Sequence, residues 1–188
     1  MNTQRKVGLL LGSLRSNGTS AGLAKALAPM LPTDWPVEHL LIGNLPLYNP
    51  DDEIQAPAIW NHFRQRIHAC DALLFVTPEY NRSIPGALKN AIDVGSRPHG
   101  QSVWNAKPAA IVTFSPGNLG GFGANHQLRQ AFVCLNMPTM PAPEIYLSGS
   151  AALLNEHGGI ANADTQLFLE RAMGSFVEWI ERHAAAMA

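Results

Sequence analysis

The chain has 188 residues, 46% of them apolar, enough for one domain with a substantial buried core. Its formal net charge is −1 and 14% of its residues are charged, so it carries neither the basic footprint of a nucleic-acid binder nor an acidic tail. Small molecules are the expected partners, and nucleic acid is not.

The first element is the apolar run Val7 to Leu11. Basic residues precede it, as in a signal peptide, but the run is short, lacks a small-residue cleavage site and continues directly into Arg15, so it reads as a buried strand. A helical segment follows, Ser20 to Leu31, then a second strand, Val37 to Ile42. Ile59, Phe63 and Ile67 share one face of a helix from Ala56 to Ala69, which leads into a third strand, Ala72 to Val76. Helix Pro85 to Val94, strand Ala109 to Phe114 and helix Asn125 to Leu135 come next. The Pro-rich stretch Met137 to Glu144 reads as an extended connection into a weaker fifth strand, Glu144 to Leu147. The last helix, Asp164 to Ala186, lines up Phe168, Met173, Phe176 and Ile180.

This βα alternation predicts one α/β domain over residues 1–188, a parallel sheet with helices on both faces. Ligands of such sheets bind beyond the carboxyl ends of the strands, at the topological switch point. No segment approaches the roughly 18 apolar residues of a membrane span. Cys70 and Cys134 form neither a CxxC pair nor a disulfide framework, so a cytoplasmic location is expected.

Loop one, "GSLRSNGTS", joins the first strand to the first helix. Five residues separate Gly12 from Gly18, and Thr19 stands where a Walker A loop needs lysine; the dinucleotide fingerprint is also absent. What remains is Ser13, Ser16, Thr19 and Ser20 as neutral donors, Arg15 as a charged fork, and a helix N-terminus. A single hydroxyl suffices to cap a helix. Four hydroxyls with an arginine favour a terminal phosphomonoester.

Loop three leaves the third strand as "TPEYNRSIPG" and exposes Tyr80 and Asn81 at the carboxyl edge. Its backbone suits the edge of a planar heterocycle, with an aromatic ring to flank it. Loop four, "FSPGNLGGFGAN", holds Gly117, Gly120, Gly121 and Gly123, which let the backbone approach a flat ligand closely.

With "LPLYNPDDE" after strand two, "PEYNRSIPGALKNAID" after strand three and "SPGNLGG" followed by "LRQ", the chain resembles the NADPH-dependent FMN reductase family over most of its length. That family comprises flavodoxin-like quinone, azo-dye and chromate reductases. The resemblance implies a three-layer fold with a five-stranded parallel sheet in the order 2-1-3-4-5. It implies FMN as cofactor, NADPH or NADH as co-substrate and a small-molecule acceptor. Ser13, Arg15, Ser16, Thr19 and Ser20 then hold the FMN phosphate, Pro78, Glu79, Tyr80 and Asn81 border the isoalloxazine edge, and Ser115 with Gly117 lies on its other side. Glu79 is expected to contribute only its backbone there. Phe122 stands where many relatives carry a small residue, which reshapes the second-substrate pocket. A homodimer or homotetramer is also implied, with Arg129 and Glu144 paired across a subunit contact.

FMN carries the redox chemistry in such enzymes, so no catalytic acid, base or nucleophile is expected among the side chains. No GxSxG elbow, HExxH pair or Cys-His dyad signal contradicts this. The seven histidines form no ligand motif, and Asp51, Asp52 and Glu53 read as a solvated turn, so no metal is expected. Two other functions fit the same fold: a flavodoxin-like electron carrier, and a reductase that takes free FMN as substrate and releases it reduced. Electron carriers tend to be strongly acidic, and the near-neutral charge favours the enzyme.

Overall fold

A computed structural model describes residues 4–187. Five strands, β1 (Val7–Leu11), β2 (Val37–His39), β3 (Ala72–Pro78), β4 (Ala109–Phe114) and β5 (Ile145–Leu147), form one sheet in the order β2-β1-β3-β4-β5. Every neighbouring pair is parallel. Helices α1 (Thr19–Leu27) and α5 (Ala163–Met187) cover one face; α2 (Ala58–His68), α3 (Gly86–Gly95) and α4 (Phe122–Cys134) cover the other.

The three central strands are buried at every residue, as the continuous apolar runs of a doubly covered sheet require. Successive side chains supply opposite layers. Leu9 and Leu11 join the α1/α5 core, and Leu10 joins the other; Leu74 and Val76 face one way, Leu73 and Phe75 the other.

Strand β2 is shorter than the alternation predicts. Leu40 and Ile42 stay buried and Leu41 is exposed, so the apolar pattern outlasts the paired ladder, which ends at His39. Helix α1 likewise stops at Leu27, and a 3-10 turn containing Pro29 replaces its expected last residues. Helix α4 starts at Phe122, three residues before the predicted Asn125, because Gly120 and Gly121 turn the chain sharply at φ of 57° and 82°.

Loops one and three meet where β1 leaves the sheet. A Cβ on Gly12 would lie 2.0 Å from Thr77 Oγ1, so only glycine allows this approach.

The edge strand β2 is tied to its neighbours through Glu38, which pairs with Lys6 beside β1 and Arg66 on α2; Arg66 also donates to the His39 carbonyl at 2.7 Å. Hydrogen bonds from Lys6 and then Arg66 hold the Glu38 carboxyl below its ordinary value of 4.5. A folded-state value below the unfolded one contributes stability above pH 4.5, lost as the pH falls through the lowered value. Glu38→Gln is therefore expected to cost about 1 kcal/mol at neutral pH. In urea denaturation the gap to wild type should close on acidification below 4.5.

Candidate functional site

Loop one packs Ser13 against the sheet edge, where its Oγ accepts from the Arg15 N–H at 3.3 Å. Gly18 precedes α1 in extended conformation, and no side chain caps the helix. The hydroxyls of this loop are therefore not consumed by capping. Among the described residues, no acceptor meets the N–H groups of Thr19, Ser20 and Ala21; the first bond into the helix is from Gly22 to the Gly18 carbonyl, 3.1 Å. Ser20 is fully buried and its hydroxyl has no partner. Arg15 is exposed and forms no ion pair among the described residues. An unsatisfied helix N-terminus beside a free guanidinium is a site for an anion.

Two grooves flank this turn. One runs between Ser13, Arg15 and Ser16 and the β2 exit at Ile42 and Asn44; the other lies between Ser16, Gly18 and Thr19 and the segment Ser150–Ala151 after β5. No sequence signal marks that second wall, because Ser150 and Ala151 carry no distinctive chemistry.

Loop three is a tight hairpin turn. Tyr80 and Ser83 exchange backbone hydrogen bonds of 2.9 and 3.0 Å, and Asn81 and Arg82 between them take φ of 52° and 64°. Two successive left-handed residues define a type I′ turn, and each is strained when it is not glycine. Pro78 is buried at the end of β3, and Tyr80 is exposed above it. The Glu79 carboxylate turns toward α4 and accepts from the Ala124 N–H at 3.2 Å.

Ser115 and Gly117 open loop four. The Ser115 N–H donates to the Leu147 carbonyl at 3.1 Å, and its hydroxyl to the Gly117 carbonyl at 3.2 Å, so the loop is fixed to β5. A Cβ on Gly117 would meet nothing within 4 Å, so that backbone faces open space. Phe122 lies half-exposed on His126, ring centroids 4.1 Å apart, and 5.6 Å from Tyr146. Burial, then a hydrogen bond with Glu144, pushes the Tyr146 phenol up to about 12, so it stays protonated at neutral pH.

Arg129 lies 3.4 Å from Glu144 of its own chain and is also held by Asn125 and the Met140 carbonyl. One expectation needs correction. Glu53 is not merely solvated: it accepts from the Tyr48 hydroxyl and pairs with Arg97 at 3.1 Å. Asp51 and Asp52 do stay exposed, in a 3-10 turn. Among the described residues, no three His, Cys, Asp or Glu side chains group as a metal site requires.

Sequence reasoning missed Asn90. Buried in α3, it donates to the carbonyls of Leu45 and Pro46 at 3.2 and 3.0 Å and accepts from the Tyr48 N–H at 2.8 Å. It latches the loop after β2 onto α3, and its signal was a lone amide on an apolar helix face.

The family model for NADPH-dependent FMN reductase matches residues 5–152. The chain belongs to that family. A quinone reductase from Pseudomonas putida is 48% identical over 186 residues, 98% of this chain and 100% of that protein. A 2-hydroxy-1,4-benzoquinone reductase from a Burkholderia species is 41% identical over 93% of this chain and 96% of its own length. Among solved structures, the flavoenzyme NAD(P)H:(acceptor) oxidoreductase of Paracoccus denitrificans superposes with a TM-score of 0.89 at 37% identity, covering 95% of this chain and 98% of that one.

The donors of loop one fit the phosphomonoester end of FMN. A phosphomonoester offers acceptor oxygens to the open N–H groups, to the unpartnered Ser20 hydroxyl and to Arg15. A buried hydroxyl without a partner destabilises the flavin-free protein. Ser20→Ala is therefore expected to leave the flavin-free melting temperature unchanged or raised while weakening FMN by about 1 kcal/mol, read by calorimetry and flavin fluorescence. A lower melting temperature with unchanged FMN affinity would show that the hydroxyl serves only the fold.

Proposed function

We propose that the chain is an NAD(P)H-dependent FMN oxidoreductase that transfers hydride from the nicotinamide to quinones. The observation that carries this reading is the uncapped N-terminus of α1, with buried, unpartnered Ser20 and unpaired Arg15 beside it, in a chain so similar to quinone reductases. Bound FMN supplies the hydride-accepting and hydride-donating chemistry at N5.

The chain's own residues bind and orient. Ser13, Arg15, Ser16, Thr19 and Ser20 hold the phosphate, Thr19 from the wall of the second groove and Ser20 from the first turn of α1. Pro78, Glu79, Tyr80 and Asn81 border one edge of the ring, where the strained hairpin presents backbone groups at a fixed angle. Ser115 and Gly117 form the opposite border, the open backbone of Gly117 admitting a flat ligand. No side chain is assigned as acid, base or nucleophile.

Residues 1–188 act as one flavodoxin-like domain in this reading, supported by the single sheet covered on both faces. A cytoplasmic location is supported by the unpaired thiols of buried Cys70 and exposed Cys134. No described helix is long and apolar enough to cross a membrane.

Purified protein should show flavin absorbance that bleaches on anaerobic addition of NADPH or NADH and returns on adding a benzoquinone. Arg15→Ala should weaken FMN by about 1 to 3 kcal/mol, as for a charged hydrogen bond, and leave riboflavin almost unaffected. Equal losses for the two flavins would remove the phosphate assignment.

A homodimer or homotetramer completes the proposal. Leu47, 80% exposed, and Ile54, 94% exposed, project from the loop after β2, and such apolar groups favour burial against another subunit. Light scattering at micromolar concentration is expected to give at least twice the monomer mass, and a monomer would refute it.

A further inference from the structure

Helices α1 and α4 both begin at the carboxyl edge of the sheet, but their N-termini are treated differently. That of α1 is left open. That of α4 is occupied by the Glu79 carboxylate, whose side chain is only 7% exposed; Oε2 accepts from the Ala124 N–H at 3.2 Å and Oε1 from Arg82 at 3.3 Å. A carboxylate at a helix N-terminus satisfies an orphan donor and complements the dipole.

Two further contacts join the same two segments, and a third ties the strands beneath them. Gly123, in the first turn of α4, lies so close to the hairpin that a Cβ there would be 2.8 Å from the Arg82 carbonyl oxygen and 2.9 Å from Glu79 Oε2. The Ser83 hydroxyl donates to Gln127 Oε1 at 3.2 Å, one helical turn further on. At the base, the Glu79 N–H donates to the Phe114 carbonyl at 3.2 Å, tying β3's exit to β4's. The hairpin itself holds two strained residues, Asn81 and Arg82, so its conformation persists only where surrounding contacts impose it.

From this we infer that Glu79 is a positioning residue: its carboxylate staples the Tyr80–Ser83 hairpin to the start of α4 and so fixes the gap between the two loops that border the flavin ring. This rests on the reading of that gap as the ring site. Among these contacts Glu79 alone joins the two segments with a buried charged acceptor, whereas Ser83 and Gln127 form an exposed pair.

The test compares Glu79→Ala with Glu79→Gln in the full-length protein. A hydrogen bond to a charged group corresponds to roughly tenfold in binding when its loss is transmitted to a ligand site. Glu79→Ala is expected to weaken FMN and riboflavin by the same factor, about tenfold, since the ring border and not the phosphate is disturbed. In the flavin-free protein, amide exchange should accelerate in residues 79–83 and 122–127 and not in β1 or β3. Glu79→Gln keeps an acceptor for the Ala124 N–H and is expected to recover most of the affinity and protection.

Loss confined to FMN would place the effect at the phosphate and overturn the inference. So would accelerated exchange with both affinities unchanged, which makes Glu79 a cap of the fold alone, or unchanged exchange, which means that it staples nothing. Failure of the functional reading looks different: wild-type protein would bind neither flavin.

Discussion

A helix N-terminus left without a protein partner is the constraint on which the rest of the site depends. The N–H groups of Thr19, Ser20 and Ala21 and the α1 dipole all face one end of the sheet, beside a buried hydroxyl that also lacks a partner. Left unsatisfied, such groups cost free energy that the surrounding core must offset. The core does so from both sides: Leu23, Ala24 and Leu27 of α1 are buried against β1 and α5, which keeps the helix in place whether or not an anion is bound. Strand β1, buried along its whole length at the centre of the sheet, aims the turn, and Gly12 lets that turn lie directly on Thr77 at the end of β3. The placement of loop one relative to loop three is thereby set by one close approach.

Most of this architecture was legible because burial on both faces leaves a plain mark. Val7 to Leu11 and Ala109 to Phe114 read as strands with their observed bounds, since every position in them is apolar or packs as if it were. Edge elements were less legible. Leu40 to Ile42 keep the alternation of a strand although their ladder has ended, because burial and strand pairing are different constraints with the same sequence period. The start of α4 is hidden in the sequence for a related reason. Its first residues include Gly123, which composition assigns to a loop but which the close approach of Arg82 and Glu79 requires.

The site was legible to different depths along its length. Loop one announced itself through residue type, since hydroxyls, an arginine and a helix start already specify the chemistry of a bound anion. Loop three did not. Nothing in "PEYN" distinguishes a carboxylate that stays in solvent from one that caps a helix more than forty residues later, because that choice is made by tertiary packing. The same holds for Arg129 and Glu144, whose opposite charges predict a pair but not whether the partner lies in the same chain.

The near-neutral composition is compatible with a phosphate site of the kind proposed. A bound phosphomonoester carries between one and two negative charges at neutral pH. In the proposed site the α1 N-terminus would offset roughly half a charge and Arg15 one more, with the remainder spread over neutral hydroxyl and amide donors. No basic patch is needed, and a net charge of −1 is compatible with the site. Beside loop three the second helix N-terminus, that of α4, already holds the Glu79 carboxylate. The protein therefore offers one open anion site and one closed one at the same edge of the sheet, which gives a ligand with a charged end and a flat neutral end a single favourable direction in which to lie.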